Sequence, residues 1–210
     1  MSFHKSRPLP PQHSGTQSNT EAKVVCNTPE AAKTLFNKAT SRLQQVGNWH
    51  HLAAGAVGAR FWLTDASGNE KHTPPVIGDH FKIDIPGPGS TTGDGYDWVR
   101  IEDIIEQSGA NWERLTIRVR PATNPTNEKK DVAHFFSDEA TSNFLVERQG
   151  NEVRAAVHGR NEFPNTEAEA LVDKARNAAV AAGAITGFAK LQWRSLVDGI
   201  INNELPNEPK

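Results

Sequence analysis

Cysteine, methionine and tyrosine each occur once in this sequence, and neither sign of charge dominates it. No run of apolar residues approaches the ~18 that would mark a bilayer span. Each scarcity excludes something. A lone Cys26 cannot close an intrachain disulfide, and its place beside Val24 and Val25 reads as a small buried hydrophobe rather than a nucleophile. With 23 Lys and Arg against 25 Asp and Glu, the formal charge is -2 and no block of like charge exceeds a few residues. The electrostatic footprint of a polyanion binder is therefore missing, and nucleic acid is not an expected partner. Arg114, Arg118 and Arg120 do not supply one, because Glu113 and apolar positions are interspersed among them. Without an apolar h-region or a membrane span, the cytoplasm is the expected compartment.

What is present suits one domain of generous size. Five Trp and nine Phe supply core material, while the hydrophobic fraction of 36% leaves room for long loops or an unfolded segment. Residues 1–20 are rich in Pro, Ser, Gln and Gly with almost nothing to bury, and read as a flexible tail. Residues 21–210 then form a single α+β domain.

Ala22 to Cys26 reads as a short strand. Thr28-Pro29-Glu30 supplies an N-cap, a proline at the first helical position and an acid in the first turn, which together predict a helix. Its apolar face is Ala32, Leu35, Phe36, Ala39 and Leu43. Beyond the aromatic turn at Trp49 the period changes to alternation. Phe61 and Leu63, then Phe81, Ile83 and Ile85, predict two strands forming a hairpin with a long loop. Four more strands are expected at Tyr96 to Ile105, Trp112 to Arg120, Ser142 to Arg148 and Glu152 to His158, the last two turning at Gln149-Gly150-Asn151. Trp98, Trp112 and Trp193 are expected in the core. Thr166-Glu167-Ala168-Glu169 matches a capping box, predicting a long C-terminal helix to about Asn203 with an apolar series Ile185, Phe188, Leu191, Leu196 and Ile200.

The predicted order is strand, helix, six antiparallel strands and a long helix, an antiparallel sheet with helices covering one face. In that order, and in the segment VVCNTPEAAKTLFNKATSRLQQVGNWHHL, the chain resembles the START-like, polyketide-cyclase-like (SRPBCC) superfamily. The resemblance implies a helix-grip fold, in which a curved sheet of six to seven strands wraps the final helix around an elongated cavity.

Two segments are candidates for chemistry. The loop 86–95, leading into Tyr96-Asp97-Trp98, is dense in glycine. Such backbone could approach an anion, but it lacks a Gly-Lys-Ser/Thr ending, and Pro86 and Pro88 remove amides a phosphate cradle would use. A connection turning at Asp94-Gly95 is the plainer reading. The second segment is His158-Gly159-Arg160-Asn161-Glu162. In a helix-grip fold it lies near one end of the cavity, where His158 and Glu162 could exchange a proton and Arg160 could hold a carboxylate. The plainer reading pairs Arg160 with Glu162 on the surface. Asp94, Tyr96, Trp98, His158, Arg160 and Glu162 are the candidate ligand-binding residues.

Trp49-His50-His51 does not chelate by itself, and no HxH, HxxxH or HExxH spacing promises a metal, so neither metal nor cofactor is expected. Three functions follow in order of preference: a protein enclosing a small apolar ligand between sheet and C-terminal helix, an interaction module or homo-oligomer, and an enzyme with an acid/base site near His158 and Glu162.

Overall fold

Thr28 begins the first helix as its chemistry requires. Its Oγ1 accepts the Ala31 N–H at 3.1 Å, and Pro29 occupies the position whose amide has no helical partner. In the computed structural model, which describes residues 9–53, 58–85, 89–165 and 190–202, this helix, α1, runs Pro29–Gln44. It buries the expected face of Ala32, Phe36, Ala39 and Leu43, with Leu35 packed at its margin. A tight turn at Val46–Asn48 leads into the short α2, Trp49–Leu52, which buries Trp49 among Phe61, Phe81 and Phe144. The Trp49 Nε1 donates to the Leu43 carbonyl at 3.2 Å, so the indole carries no unsatisfied donor into the core.

Seven strands form one antiparallel sheet: β1 Thr16–Val25, β2 Arg60–Thr64, β3 His80–Asp84, β4 Asp97–Gly109, β5 Trp112–Pro121, β6 Thr141–Gln149 and β7 Glu152–Glu162. Their order is β1-β7-β6-β5-β4-β3-β2, so the chain must travel from one sheet edge to the other between β1 and β2. The segment carrying α1 and α2 makes that crossing over one face. Residues 190–202 are the described part of a C-terminal helix, α3, on the same side. The result is the expected α+β arrangement, a curved antiparallel sheet gripping a C-terminal helix. Bulges at Thr16/Ser18 and at Ile101/Asp103 add to its bending.

The inner face presents Phe61, Phe81, Val99, Ile117, Phe144 and Val157 to α1, α2 and α3. The outer face carries ion pairs, including Arg114 with Glu147 and Arg120 with Glu102.

Several expectations need correction. The first strand begins at Thr16 rather than Ala22, so the end of the expected tail is paired to β7; residues 1–8 lie outside the described residues. Trp112 is exposed rather than buried, because it ends the β4–β5 hairpin, where its ring lies beside Arg114. Leu191 is also exposed, and the inward position beside it is taken by the buried Gln192. Gln192 is kept there by a specific bond: its Oε1 accepts the Ala59 N–H at 3.1 Å. The capping box and the series through Phe188 lie outside the described residues. Cys26 is partly buried against the core, near the expectation.

Candidate functional site

At one end of the sheet β1 and β7 meet the chain between β5 and β6. A cavity of about 340 Å³ remains there. Its apolar wall is Phe61, Ile83 and Ile85 from the β2–β3 hairpin, Phe135 and Phe136 from the segment before β6, and Trp193 from α3. Most of its surface is apolar, and the polar residues that reach it are Gln17, Ser18, Asn19 and Thr20 of β1, Ser142 of β6, Glu162 of β7, His134 and Gln192. Lys190 stands at the rim and is exposed. Apolar walls with a small set of placed polar groups are the usual makeup of a small-molecule site.

Glu162 owes its inward direction to irregular backbone. Along β7, Val153, Ala155 and Val157 face the core. Strict alternation would then send Glu162 outward. Between Ser18↔Gly159 and Thr16↔Glu162, however, β7 spends three residues against two on β1. The extra residue returns Glu162 to the inner face. Asn161 absorbs the turn with φ 54°, a conformation Asn tolerates better than most residues. It is braced by the chain before β1, since its Oδ1 accepts the His13 N–H at 2.8 Å and its own N–H donates to Gln12 Oε1 at 2.9 Å. Gly159 completes the arrangement. A Cβ there would collide with Glu162 Oε1 and Ser18 Oγ, so the glycine clears the space in which the carboxyl lies.

Ser18 Oγ donates to Glu162 Oε1 at 3.0 Å. Burial pushes the carboxyl above the ordinary Glu range, against the pull of the Ser18 bond, of Arg160 and of the Thr16 side chain. Arg160 does not pair with it, as the surface reading expected. Its Nη1 donates instead to the carbonyls of Gly159 and Ser18, at 2.6 and 3.2 Å.

Of the other candidate residues, His158 alternates to the outer face, where its Nδ1 meets Asn19 Oδ1 at 2.7 Å. Burial, helped by Arg160 and Arg154, lowers its pKa to about 4, so it is a neutral imidazole at physiological pH. His158 and Glu162 share no hydrogen bond. Asp94 lies in the loop after β3, accepting from Asn124 Nδ2 at 3.0 Å and Asn127 Nδ2 at 2.9 Å. Asp94 and Gly95 both have positive φ, the turn chemistry read from the sequence. Tyr96 is an outer-face residue with Lys82 Nζ 3.8 Å from its ring centre. Trp98 is buried on that face, its Nε1 donating to the Gly93 carbonyl at 3.4 Å. The structure therefore brings only Glu162 of the six to the cavity wall.

Sequence reasoning missed the segment 132–137. Asp97, buried on the inner face opposite Ile83, accepts the Phe135 N–H, and burial pushes its carboxyl up to about 7. His134 accepts the Phe136 N–H on Nδ1 at 2.9 Å, and enclosure lowers its pKa to about 3, keeping the ring neutral. The Phe135-Phe136 pair after a polar loop was the one available signal. Among the described residues, no three His, Cys, Asp or Glu side chains are placed to hold a metal ion.

No family model matches the sequence, and no curated protein matches it significantly. Solved structures similar to it include a hypothetical protein from Helicobacter pylori, with 16% identity, TM-score 0.47 and 96% of this chain and 97% of that chain covered. A protein from Nitrosospira multiformis has 10% identity and TM-score 0.37, covering 88% and 94%. A truncated norcoclaurine synthase from Thalictrum flavum has 7% identity and TM-score 0.35, covering 92% and 99%.

Proposed function

We propose that this protein holds a small, largely apolar molecule in the chamber between its sheet and its C-terminal helix. The observation that carries the reading is the cavity of about 340 Å³, walled by Phe61, Ile83, Ile85, Phe135, Phe136 and Trp193. At ~30 Å³ per water, that space equals roughly eleven waters, set against walls whose surface is mostly apolar. Burying apolar ligand surface there gains about 25 cal/mol per Å². The reading also agrees with what the resemblance to the START-like superfamily implies. No described helix is long and apolar enough to cross a membrane, so the chamber need not be explained as membrane packing.

Ser142 offers the test. It lines the chamber from β6 beside Gly159, where a larger side chain has only the cavity to enter. Ser142→Phe fills that space with a ring. An uncharged fluorescent probe, N-phenyl-1-naphthylamine, should bind the native protein with a rise in emission, and the variant at least about tenfold more weakly, as expected when a pocket of this kind is blocked. Circular dichroism should show both chains folded. Equal probe binding by a folded Ser142→Phe chain would place the probe elsewhere and remove the support for this chamber.

A further inference from the structure

The chamber has one polar end, and its construction is costly. A strand bulge, a non-glycine residue with φ 54°, and a glycine without room for a Cβ all act to hold one carboxyl in a wall whose surface is mostly apolar. Strained backbone of this kind persists where the surrounding structure holds it and it has a use. The fold does not consume the carboxyl in an ion pair among the described residues. Its side-chain partners are the neutral hydroxyls of Ser18, at 3.0 Å, and Thr16, while Arg160 donates to the carbonyls of Ser18 and Gly159 and acts on the carboxyl through its charge without bonding it. His134, the other titratable group in the wall, has its Nδ1 occupied by the Phe136 N–H and stays uncharged. Lys190, at the rim, is exposed.

The geometry points to Glu162 as the anchor for a protonated amine, so that the ligand is a small amphiphile with one cationic nitrogen and an apolar body lying toward Phe61, Phe136 and Trp193. This inference rests on the chamber being a binding site and adds the chemical class of its occupant. The reasoning is one of compensation. A carboxylate taken from water needs charge-assisted partners, and the neutral Ser18 and Thr16 hydroxyls leave part of its lone pairs unused and its charge uncompensated by any bonded cation among the described residues. An ammonium group supplies up to three donors and the missing charge. A neutral alcohol supplies one donor, and a carboxylate ligand would set like charge against like.

The test compares n-heptylamine, n-heptanol and heptanoate, nearly equal in size, by isothermal titration calorimetry at neutral pH, beside the uncharged fluorescent probe. The amine should bind at least about tenfold more tightly than the alcohol, as a charge-assisted bond replaces a neutral one, and heptanoate most weakly. Glu162→Gln should bring the amine to within about twofold of the alcohol while leaving alcohol binding nearly unchanged. Should that variant fail to fold, the ranking in the native protein decides alone, and Ser18→Ala, which leaves the carboxylate in place, should retain it. Equal affinity for amine and alcohol overturns the anchor while the chamber reading stands. Preference for heptanoate also overturns it, and assigns the polar end to Lys190. Failure of all three ligands and of the probe defeats the anchor and the chamber together.

Discussion

Gly159→Ala is the sharpest probe of how the chamber is built. The added methyl would occupy the position now held by Glu162 Oε1 and Ser18 Oγ. The φ of Gly159 is not positive, so the backbone accepts alanine and the cost arises from the collision alone. The carboxyl is the end of a flexible side chain and can swing aside, but it then loses the Ser18 bond at 3.0 Å. Overpacking ordinarily costs ~1–3 kcal/mol and a bond to a charged group is worth a similar amount, so a net loss of about 1–2 kcal/mol is expected. For a chain of this length that lowers Tm by roughly 2–8 °C. The decisive assay is a double-mutant cycle with Glu162→Ala, followed by urea denaturation. With the carboxyl gone, the alanine at position 159 still meets the Ser18 hydroxyl, which can turn aside, and should cost less than about 0.5 kcal/mol, giving a coupling near 1 kcal/mol. Equal cost in both backgrounds, or a Gly159→Ala protein as stable as the native one, would refute the claim that this glycine exists to seat Glu162.

Two other consequences can be measured. Asp97 has a folded pKa of about 7 against an ordinary 3.8, so the folded state holds its proton more tightly. The stability this contributes is full below the ordinary value, falls as pH rises toward 7, and amounts to at most about 4 kcal/mol at ~1.4 kcal/mol per unit. Asp97→Asn keeps an acceptor for the Phe135 N–H, so the difference between the native and variant stability curves should shrink steadily from pH 4 to pH 7 in the direction that favours the variant; a constant difference would mean that Asp97 ionises normally. Removing residues 1–14 takes away the Gln12, His13 and Ser14 contacts to Asn161, the last at 3.3 Å. These exposed bonds should be worth about 1–2 kcal/mol together, and heptylamine affinity should fall with them; a truncated chain with unchanged Tm and unchanged affinity would show that the bulge holds itself.

The elements that could be read from the sequence are those whose signals are local. Thr28, Pro29 and Glu30 specify a helix start within three residues, and Gly150-Asn151 specifies a hairpin turn within two. Alternation at Phe81 and Ile83 needs only a strand with one buried face. Trp112 and Leu191 were misplaced because aromatic or aliphatic character says that a residue can be buried, and only the sheet edge and the helix phase decide whether it is. Gln192 shows the converse. A polar residue goes inward when one long-range donor, here the Ala59 N–H, satisfies it.

The site was harder to read for a related reason, and Glu162 makes it concrete. Counting by twos from the buried Val157 leads to Gly159 and then Asn161, leaving Glu162 on the solvent side with His158 and Arg160. Parity makes those three one outer cluster, whereas the expected acid/base pair needs His158 and Glu162 together at one end of the cavity. One additional residue in β7 reverses the parity, and the cluster divides: His158 stays outside with Asn19, while Glu162 enters the chamber with Ser18. What decides the bulge lies almost 150 residues away in sequence, in the Gln12, His13 and Ser14 contacts to Asn161. A stretch whose composition reads as a tail thus supports the one irregularity that gives the cavity its charge. The inward placing of Glu162 and the pairing of the N-terminal strand are therefore coupled through a single strand register, and any change that restores regular pairing between β1 and β7 turns Glu162 back toward water.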